Sequence, residues 1–347
     1  MWEQIRSNQI RSAVLVTLMA LILLAMGYFI GLALGSPIAG LVIAFVIWGI
    51  MTLVAFFQGD SLLLSVSRAR KIKPEDNPVL YNVVEEMKIA SGLEKMPDVY
   101  IIDDPAMNAF ATGRDPNHAA VAITSGLLQK LNRDELEGVI GHEMSHIKNR
   151  DVRLMSLLAV LLGAIVILAW YMWMFAFLGA AGVGGSSSSR GRGRGRGGGG
   201  GAGAVQIFVV VIALVLAILA PILAQLIYFA VSRKREYLAD ASSALYTRYP
   251  EGLASALEKI SISTTEVKAA NKATAPMYII NPFRKKGMSV SDLTSTHPPT
   301  AERIRILRAM GGGSSLADYD RAYQKTRGQG GVIPPSGLAG VSGAVQS

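Results

Sequence analysis

The chain has 347 residues, of which 51% are hydrophobic and only 17% are charged, and its mean hydropathy is +0.36. Soluble domains carry about 25% charged residues, so this composition excludes an ordinary soluble protein. The charges are also unevenly placed, because residues 12–59, 154–189 and 197–232 contain no Asp, Glu, Lys or Arg. The remaining chain has an ordinary charge density, which indicates a soluble domain joined to membrane segments. The absence of cysteine excludes disulfides and thiolate metal sites.

The first charge-free block, within residues 1–60, predicts a transmembrane hairpin. Residues 13–34 and 38–57 are apolar runs of the length that a bilayer requires, which is about 20 residues. A Gly-Ser-Pro sequence between them provides a helix stop and a turn. A cleaved signal peptide is the alternative, but its apolar region is usually only about 7–15 residues long.

Residues 154–232 predict a second hydrophobic hairpin, with spans at 154–180 and 204–231. The linker at 184–203 is rich in Gly, Ser and Arg, which is typical of a flexible tether; binding of RNA or anionic lipid is the alternative. Basic residues before the first span and after the second and fourth spans place the soluble part on the cytoplasmic side of the plasma membrane. The four linker arginines disagree with this orientation if the second hairpin crosses fully.

The charged remainder forms two segments, 61–153 and 233–324, which we expect to make one soluble domain. Residues 325–347 are rich in Gly, Pro, Ser and Ala, and this composition predicts a disordered tail.

The HExxH spacing occurs at His142, Glu143 and His146. On a helix it places both imidazoles on one face, one turn apart, with the glutamate beside them, and this geometry suits one zinc ion. Asn132 followed by Glu135 predicts a capping box at the start of that helix. The alternative is a pair of ordinary histidines on an amphipathic helix. A catalytic zinc also needs a third protein ligand, which without cysteine is a histidine or a carboxylate.

Glu236 and Asp240 are candidates because they lie one turn apart on the helix predicted directly after the fourth span. Glu236 would bind the metal, and Asp240 would accept a hydrogen bond from a ligand imidazole. The alternative is a solvated helix face, on which Arg233 and Arg235 pair with these acids.

These motifs and several others, in this order, resemble the HtpX-type membrane zinc metalloproteases, a branch of the family that also holds the prenyl-protein (CAAX) proteases. The resemblance covers about residues 1–310, and it is carried by Met107–Gly113, Ala120–Leu128, Gly141–His146 with Asn149, Arg150 and Asp151, Arg235–Asp240, and His297–Thr300. It implies a mainly α fold with a small β-sheet, in which a zincin-like (gluzincin) domain joins four transmembrane helices arranged as two hairpins. The long Ser/Arg/Gly linker departs from the family pattern.

The resemblance also implies the chemistry. His142, His146 and Glu236 are the implied ligands of one Zn²⁺ per chain, and Glu143 is the implied catalytic base that activates water. The expected function is a membrane-anchored zinc endopeptidase that hydrolyses misfolded or damaged membrane proteins, or other unfolded polypeptides, in quality control and stress response. A CAAX-type prenyl-protein protease and a catalytically silent membrane scaffold are the alternatives. No nucleic-acid partner is expected, and the oligomeric state stays open.

The distance along the chain places the metal close to the bilayer. Leu154 starts the third span eight residues after His146, and Val231 ends the fourth span five residues before Glu236. At about 1.5 Å per helical residue, the metal lies within one or two turns of the membrane face. We therefore expect substrates in or near the membrane.

His297 precedes two prolines, which restrict its backbone, and it could donate a hydrogen bond to the oxyanion that forms during hydrolysis. The resemblance supports an active-site position for it. A capping loop before the helix from Thr300 is the alternative reading.

Asn108–Thr112 is predicted to be a short extended segment with alternating apolar residues. In zincins an edge strand binds the substrate backbone, so the resemblance implies substrate contact by Asn108, Ala109 and Phe110. A plain sheet strand is the alternative. His118 lies in a predicted turn and is interpreted as a surface residue.

Overall fold

The chain forms two compact units in the computed structural model. The globular unit comprises Met1–Val14, Val54–Ala159 and Phe229–Ser347, and the apolar unit comprises Leu15–Leu53 and Val160–Tyr228. The residues described are 2–33, 35–180, 215, 218–224, 233–270, 274–283, 297–328 and 330–338.

Two long helices, α1 (Trp2–Ala33) and α2 (Pro37–Val66), supply the first part of the apolar unit with their residues 15–33 and 37–53. They pack closely because glycines meet where they cross. A Cβ atom at Gly31 would lie only 2.8 Å from Gly40 Cα. Small residues of this kind let membrane helices approach each other backbone to backbone.

Among the described residues, two helical segments are long and apolar enough to cross a membrane: Pro37–Val66 and Asp151–Tyr171. They contain the predicted span at 38–57 and most of the one at 154–180. The first predicted span, 13–34, contains the shorter apolar helix Val16–Leu32. The linker at 184–203 and the predicted span at 204–231 lie outside the described residues, apart from 215 and 218–224.

The globular unit contains a four-stranded mixed sheet in the order β1-β2-β4-β3. Its strands are β1 (Ala69–Lys71), β2 (Asp98–Ile102), β3 (Ala109–Asp115) and β4 (His118–Thr124). Strands β2 and β4 are parallel, and the other two pairs are antiparallel. Strand β3 is therefore an edge strand of this sheet.

Helices make up most of the globular unit, as predicted for a mainly α fold. Those of the first segment are α3 (Pro78–Ser91), α4 (Ser125–Lys130), α5 (Arg133–Lys148) and α6 (Asp151–Ala180), which continues into the apolar unit. Those of the second segment are α7 (Arg233–Thr247), α8 (Pro250–Ile262), α9 (Thr300–Ala309), α10 (Leu316–Arg327) and α11 (Pro335–Leu338). A single core cluster contains apolar residues from both segments, so they fold as one body.

The chain after residue 324 differs from the predicted disordered tail. Helix α10 extends to Arg327, and both Val332 and Ile333 are buried. The Asp320 carboxylate accepts hydrogen bonds from the backbone N–H groups of Val332 (2.7 Å) and Ile333 (2.9 Å). This anchor holds the segment on the core despite its Gly- and Pro-rich composition. Residues 339–347 lie outside the described part.

Candidate metal centre and active site

Helix α5 carries the HExxH residues, and its start is the predicted one. The Asn132 side chain accepts from the Glu135 N–H while the Glu135 carboxylate accepts from the Asn132 N–H, so the predicted capping box is confirmed. The helix places His142 Nε2 3.2 Å from His146 Nε2. His142 is completely buried, and its Nδ1 lies 3.0 Å from Asp240 Oδ1.

Helix α7 brings Glu236 to the two histidines. Its Oε1 lies 3.5 Å from His146 Nε2, and its Oε2 lies 3.8 Å from His142 Nε2. Helices α5 and α7 pack closely at Gly141, because glycine has no side chain; a Cβ atom there would lie only 3.2 Å from Ser243 Oγ. Ser243 also donates a hydrogen bond to the Gly138 carbonyl (2.7 Å), which fixes the alignment of the two helices.

The three side chains match what a metal ion requires of its ligands. One ligand atom from each of His142, His146 and Glu236 lies within 4.8 Å of the others. Two ligands bound at about 2.0–2.1 Å to a tetrahedral zinc ion are about 3.3–3.4 Å apart, which is close to the separations of 3.2–3.8 Å found here. Two imidazoles and one carboxylate are also a common donor set of hydrolytic zinc sites.

The charges around His146 and Glu236 favour a cation at these two groups. Burial by itself would lower the pKa of His146, but the charges and hydrogen bonding of Asp151, Glu236 and Glu143 raise it to about 9. For Glu236, burial would raise the pKa, whereas the three neighbouring histidines lower it well below its usual value. Glu236 therefore stays ionised, as a metal ligand must.

Glu143 points into the cavity beside the three candidate ligands. Burial raises the pKa of its carboxyl to about 7. One oxygen, Oε1, is buried without a hydrogen-bond partner in the described structure, and Ala111 lines the same cavity. A buried acid whose pKa lies near neutrality, with an oxygen left for another molecule, is suited to proton transfer.

Each candidate histidine ligand contacts a further carboxylate. Asp240 Oδ1 lies 3.0 Å from His142 Nδ1, the contact expected from the sequence. Asp151 Oδ2 lies 3.3 Å from His146 Nδ1. Such contacts orient imidazole ligands and increase their basicity. Asp151 belongs to a motif of the family resemblance, but its contact with His146 could not be predicted, because a spacing of five residues is not helical.

Two buried arginines hold these carboxylates, and sequence reasoning missed both contacts. Arg303 on α9 donates to Asp240 through Nε (2.8 Å) and Nη2 (2.6 Å). Arg235 Nη1 lies 3.3 Å from Asp151 Oδ1. Burial would raise the pKa of Asp240, but the charge and hydrogen bonds of Arg303 lower it, so this acid stays ionised.

His297 reaches the centre from the start of α9. Its Nδ1 lies 2.8 Å from Glu236 Oε2, and its side chain is buried. The active-site position expected for His297 is therefore found, and its immediate partner is the Glu236 carboxylate.

The residues expected to bind substrate, Asn108, Ala109 and Phe110, do not line the cavity that contains the candidate metal ligands. Asn108 is buried and donates from Nδ2 to the Ile280 carbonyl (2.9 Å), while its Oδ1 accepts from the Ala109 N–H (3.1 Å). The Ala109 carbonyl accepts from the Ile279 N–H (3.0 Å). The protein itself covers this stretch of the β3 edge, and direct substrate contact by Asn108, Ala109 and Phe110 stays a prediction.

Ala111 is the strand residue that reaches the cavity. The Asn108 carbonyl accepts a hydrogen bond from Thr124 at the end of β4, whereas the Ala109 carbonyl accepts one from Ile279 on the outer side. Because the direction alternates along a strand, the backbone groups of Ala111 face the same outer edge as those of Ala109. The cavity is lined by Ala111, His142, Glu143, His146, Asp151, Val152, Met155, Arg235, Glu236, Met277, Tyr278, Ile279 and His297. His118 does not line it; it is exposed in the β3–β4 turn, with Nδ1 3.0 Å from Asp115 Oδ1.

Comparisons with known proteins agree with this arrangement. The model of peptidase family M48 matches residues 74–311. A protein named "Protease HtpX homolog" from Dictyoglomus turgidum is 44% identical over 310 residues, covering 89% of this chain and 95% of that protein. A protein of the same name from Pyrococcus abyssi is 44% identical over 306 residues, covering 86% of this chain and 94% of that protein.

The crystal structure of S. mikatae Ste24p is also similar, with a TM-score of 0.44 and 18% identity, over 88% of this chain and 67% of that one. The family match over more than half of the chain, together with relatives aligned over most of their length, shows that this chain belongs to peptidase family M48 and is a metalloprotease.

Proposed function

We propose that the protein is a membrane-anchored zinc endopeptidase of the gluzincin type, with His142, His146 and Glu236 as the ligands of one Zn²⁺ and Glu143 as the catalytic base. The observation that carries this proposal is the convergence of the three donor groups in the cavity that also contains the buried Glu143. Zinc, when bound, supplies Lewis acidity and lowers the pKa of water to about 7.

The roles of the surrounding residues follow from their positions. Glu143 takes a proton from the water that attacks the peptide carbonyl and returns it to the leaving amine. His297 orients Glu236 through the 2.8 Å contact, and it is also proposed to donate a hydrogen bond to the oxyanion.

The substrate backbone is proposed to align along the outer edge of β3 at Ala111. Strand edges bind extended peptides through main-chain hydrogen bonds. Asn108, Ala109 and Phe110 would then act indirectly, because they fix the Tyr278–Ile280 segment that forms one wall of the cavity.

Four spans arranged as two hairpins, in the plasma membrane and with the active site on the cytoplasmic side, complete the proposal. Its support is the charge distribution around the spans and the two apolar helices of membrane-spanning length. Misfolded or damaged membrane proteins are the proposed substrates, because the third span starts at Leu154, only eight positions after His146.

The test is cleavage by the purified full-length protein in detergent of a destabilised membrane protein, a soluble unfolded protein and a prenylated peptide. We expect the membrane protein to be cleaved fastest, cleavage to stop after chelation, and zinc to restore it better than magnesium. Glu143→Gln should reduce the rate about 10²–10⁴-fold. Glu137→Gln, on the same helix but with its carboxylate paired to Arg133, is the control and should match the parent.

Each alternative predicts a different result. Preference for the prenylated peptide would favour a CAAX-type protease. If Glu143→Gln cleaves as fast as Glu137→Gln, the assigned mechanism is wrong. A parent protein that binds zinc but cleaves none of the three substrates would match a silent scaffold.

A further inference from the structure

The Arg303 side chain is completely buried and contacts both His142 of the metal centre and Ile279 of the cavity wall. It makes two hydrogen bonds to the Asp240 carboxylate, at 2.8 and 2.6 Å. Its Nη2 lies 3.4 Å from His142 Nδ1, and its Nη1 lies 3.8 Å from Glu236 Oε2. One guanidinium group therefore adjoins two of the three proposed ligands without taking a ligand position itself.

Such a buried ion pair is costly if it only serves stability. Removing two charges from water costs several kcal/mol per ion, and apolar residues of similar volume often stabilise a fold at least as well as a buried pair. A group that must stay charged and rigid in this place is instead expected where it orients something. Here the partner of Arg303 is the carboxylate that contacts His142 Nδ1 at 3.0 Å.

We propose that Arg303 is a positioning residue of the metal centre, which acts on His142 through Asp240 and on the cavity wall through Ile279. The proposal rests on the metal ligands proposed above. It adds a residue from α9, more than 150 positions after the HExxH helix, to the groups that determine metal affinity.

The contact with His142 is indirect but geometrically specific. A guanidinium that binds both carboxylate oxygens leaves the carboxylate little freedom to rotate. Asp240 Oδ1, which receives the 2.6 Å bond from Nη2, is the same oxygen that lies 3.0 Å from His142 Nδ1. The two hydrogen bonds from Arg303 thus fix the Asp240 oxygen that orients the His142 imidazole. The other ring nitrogen of His142, Nε2, is left facing the metal position.

The second contact links the same group to the substrate cavity. Arg303 Nη1 donates to the Ile279 carbonyl at 3.1 Å, and the Ile279 N–H donates to the Ala109 carbonyl at 3.0 Å. Ile279 is therefore held between α9 and the edge of β3, where it lines the cavity. Loss of Arg303 releases this wall as well as the Asp240 carboxylate.

A lysine cannot replace this geometry. It carries the charge, but its ammonium group cannot bind both carboxylate oxygens and the Ile279 carbonyl with a fixed planar fork. Arg303→Lys is therefore expected to fold with a paired Asp240 and still to position His142 poorly.

The experiment measures zinc affinity by competition with a chromophoric chelator, using the full-length protein in detergent with Glu143→Gln present throughout to prevent self-cleavage. Loss of such outer contacts typically weakens metal binding about 10–100-fold, and we expect this for Arg303→Met, with a smaller loss for Arg303→Lys. If Arg303 acts through Asp240, the Arg303→Met and Asp240→Asn pair should weaken binding no more than the stronger single change. Arg305→Met, an exposed arginine two residues later, is the control and should bind like the parent.

Equal zinc affinity of Arg303→Lys and the control, at equal thermal stability, would overturn the proposal, as would multiplicative effects in the double variant. The Lys variant keeps this test valid if Arg303→Met does not fold. His146→Ala distinguishes an error in the proposed metal centre from an error in the proposed role of Arg303. If His146→Ala retains zinc, the proposed metal centre is wrong; if it loses zinc while both Arg303 variants bind normally, only the positioning role fails. With Glu143 restored, Arg303→Lys should also raise KM, because Ile279 lines the cavity.

Discussion

Asp151 Oδ2 lies 3.3 Å from His146 Nδ1, across the sharp turn that joins α5 to α6. The turn is possible because Arg150 adopts a left-handed conformation (φ 58°), which ends one helix and lets the next begin one residue later. The first residue of an apolar helix thus becomes the partner of a proposed metal ligand.

Asp151→Asn should therefore weaken zinc binding about 10–100-fold, because the amide keeps the shape of the side chain but loses the charge that supports the imidazole. Chelator competition on the full-length protein measures this. Asp134→Asn, at the exposed start of α5, should have no effect. Zinc binding of Asp151→Asn equal to that of Asp134→Asn would show that the contact does not serve the metal.

Asn108→Ala should lower stability and not only substrate binding. Asn108 is buried, and its side chain bonds to the Ile280 carbonyl and the Ala109 N–H. Leaving these groups unsatisfied costs about 1–3 kcal/mol. Thermal unfolding in detergent tests this, with the exposed Asn117→Ala as the control. A raised KM at unchanged unfolding temperature would instead indicate direct substrate contact.

The Glu135 carboxylate should stabilise the folded protein at neutral pH and lose this effect at acidic pH. Burial would raise the pKa of Glu135, but hydrogen bonds from Lys259 (2.8 Å), Asn132 (2.9 Å) and Ser255 (2.7 Å) lower it below 4.5. Because the folded state holds the ionised form, this contribution is present above the unfolded pKa and is lost as the pH falls through the folded pKa.

Glu135→Gln should accordingly lower the free energy of unfolding by about 1.5–3 kcal/mol at pH 7, the usual contribution of hydrogen bonds to a charged group. The difference from the parent should shrink as the pH falls below about 4.5, the ordinary glutamate value. Denaturation curves from pH 7 to 3.5 measure it. A difference that does not change with pH would contradict the assignment, and the exposed Glu94→Gln should follow the parent throughout.

The close crossing of α1 and α2 should be sensitive to side-chain size at Gly31. A Cβ there would lie 2.6 Å from the Ser36 carbonyl oxygen and 2.8 Å from Gly40 Cα. Overpacking of this kind costs about 1–3 kcal/mol. Gly31→Val should lower resistance to unfolding by SDS, whereas Gly49→Val, which meets nothing within 4 Å, should not. Equal sensitivity of both variants would argue against the close packing.

The proposed orientation can be tested because the chain has no cysteine. Single cysteines at the exposed Thr264 and Ser36 are unique sites for a membrane-impermeant thiol reagent. We expect Ser36→Cys to react in intact cells and Thr264→Cys to react only after the membrane is opened. Labelling of Thr264→Cys in intact cells would place the active site outside.

Local sequence patterns predicted much of the centre. The HExxH spacing and the capping box at Asn132 depend on contacts between residues three or four positions apart, so helical geometry alone defines them. The one-turn spacing of Glu236 and Asp240 on α7 also follows from helical geometry. That these two acids lie next to the histidines was predicted only from the family resemblance. The bond from Asn108 to the Ile280 carbonyl could not be predicted in this way, because its partners lie 172 positions apart in the sequence.

The sequence by itself determined that the chain combines apolar, charge-free segments with a globular domain, and that one helix presents two imidazoles and a glutamate on one side. Both follow from composition and helical periodicity. Only the tertiary structure decided which groups surround them: Arg303 behind Asp240, Asp151 behind His146, and Ala111 as the strand residue at the cavity. These contacts join segments that are distant in sequence or meet at an irregular turn, and no periodic pattern encodes such meetings because packing of the whole core determines them.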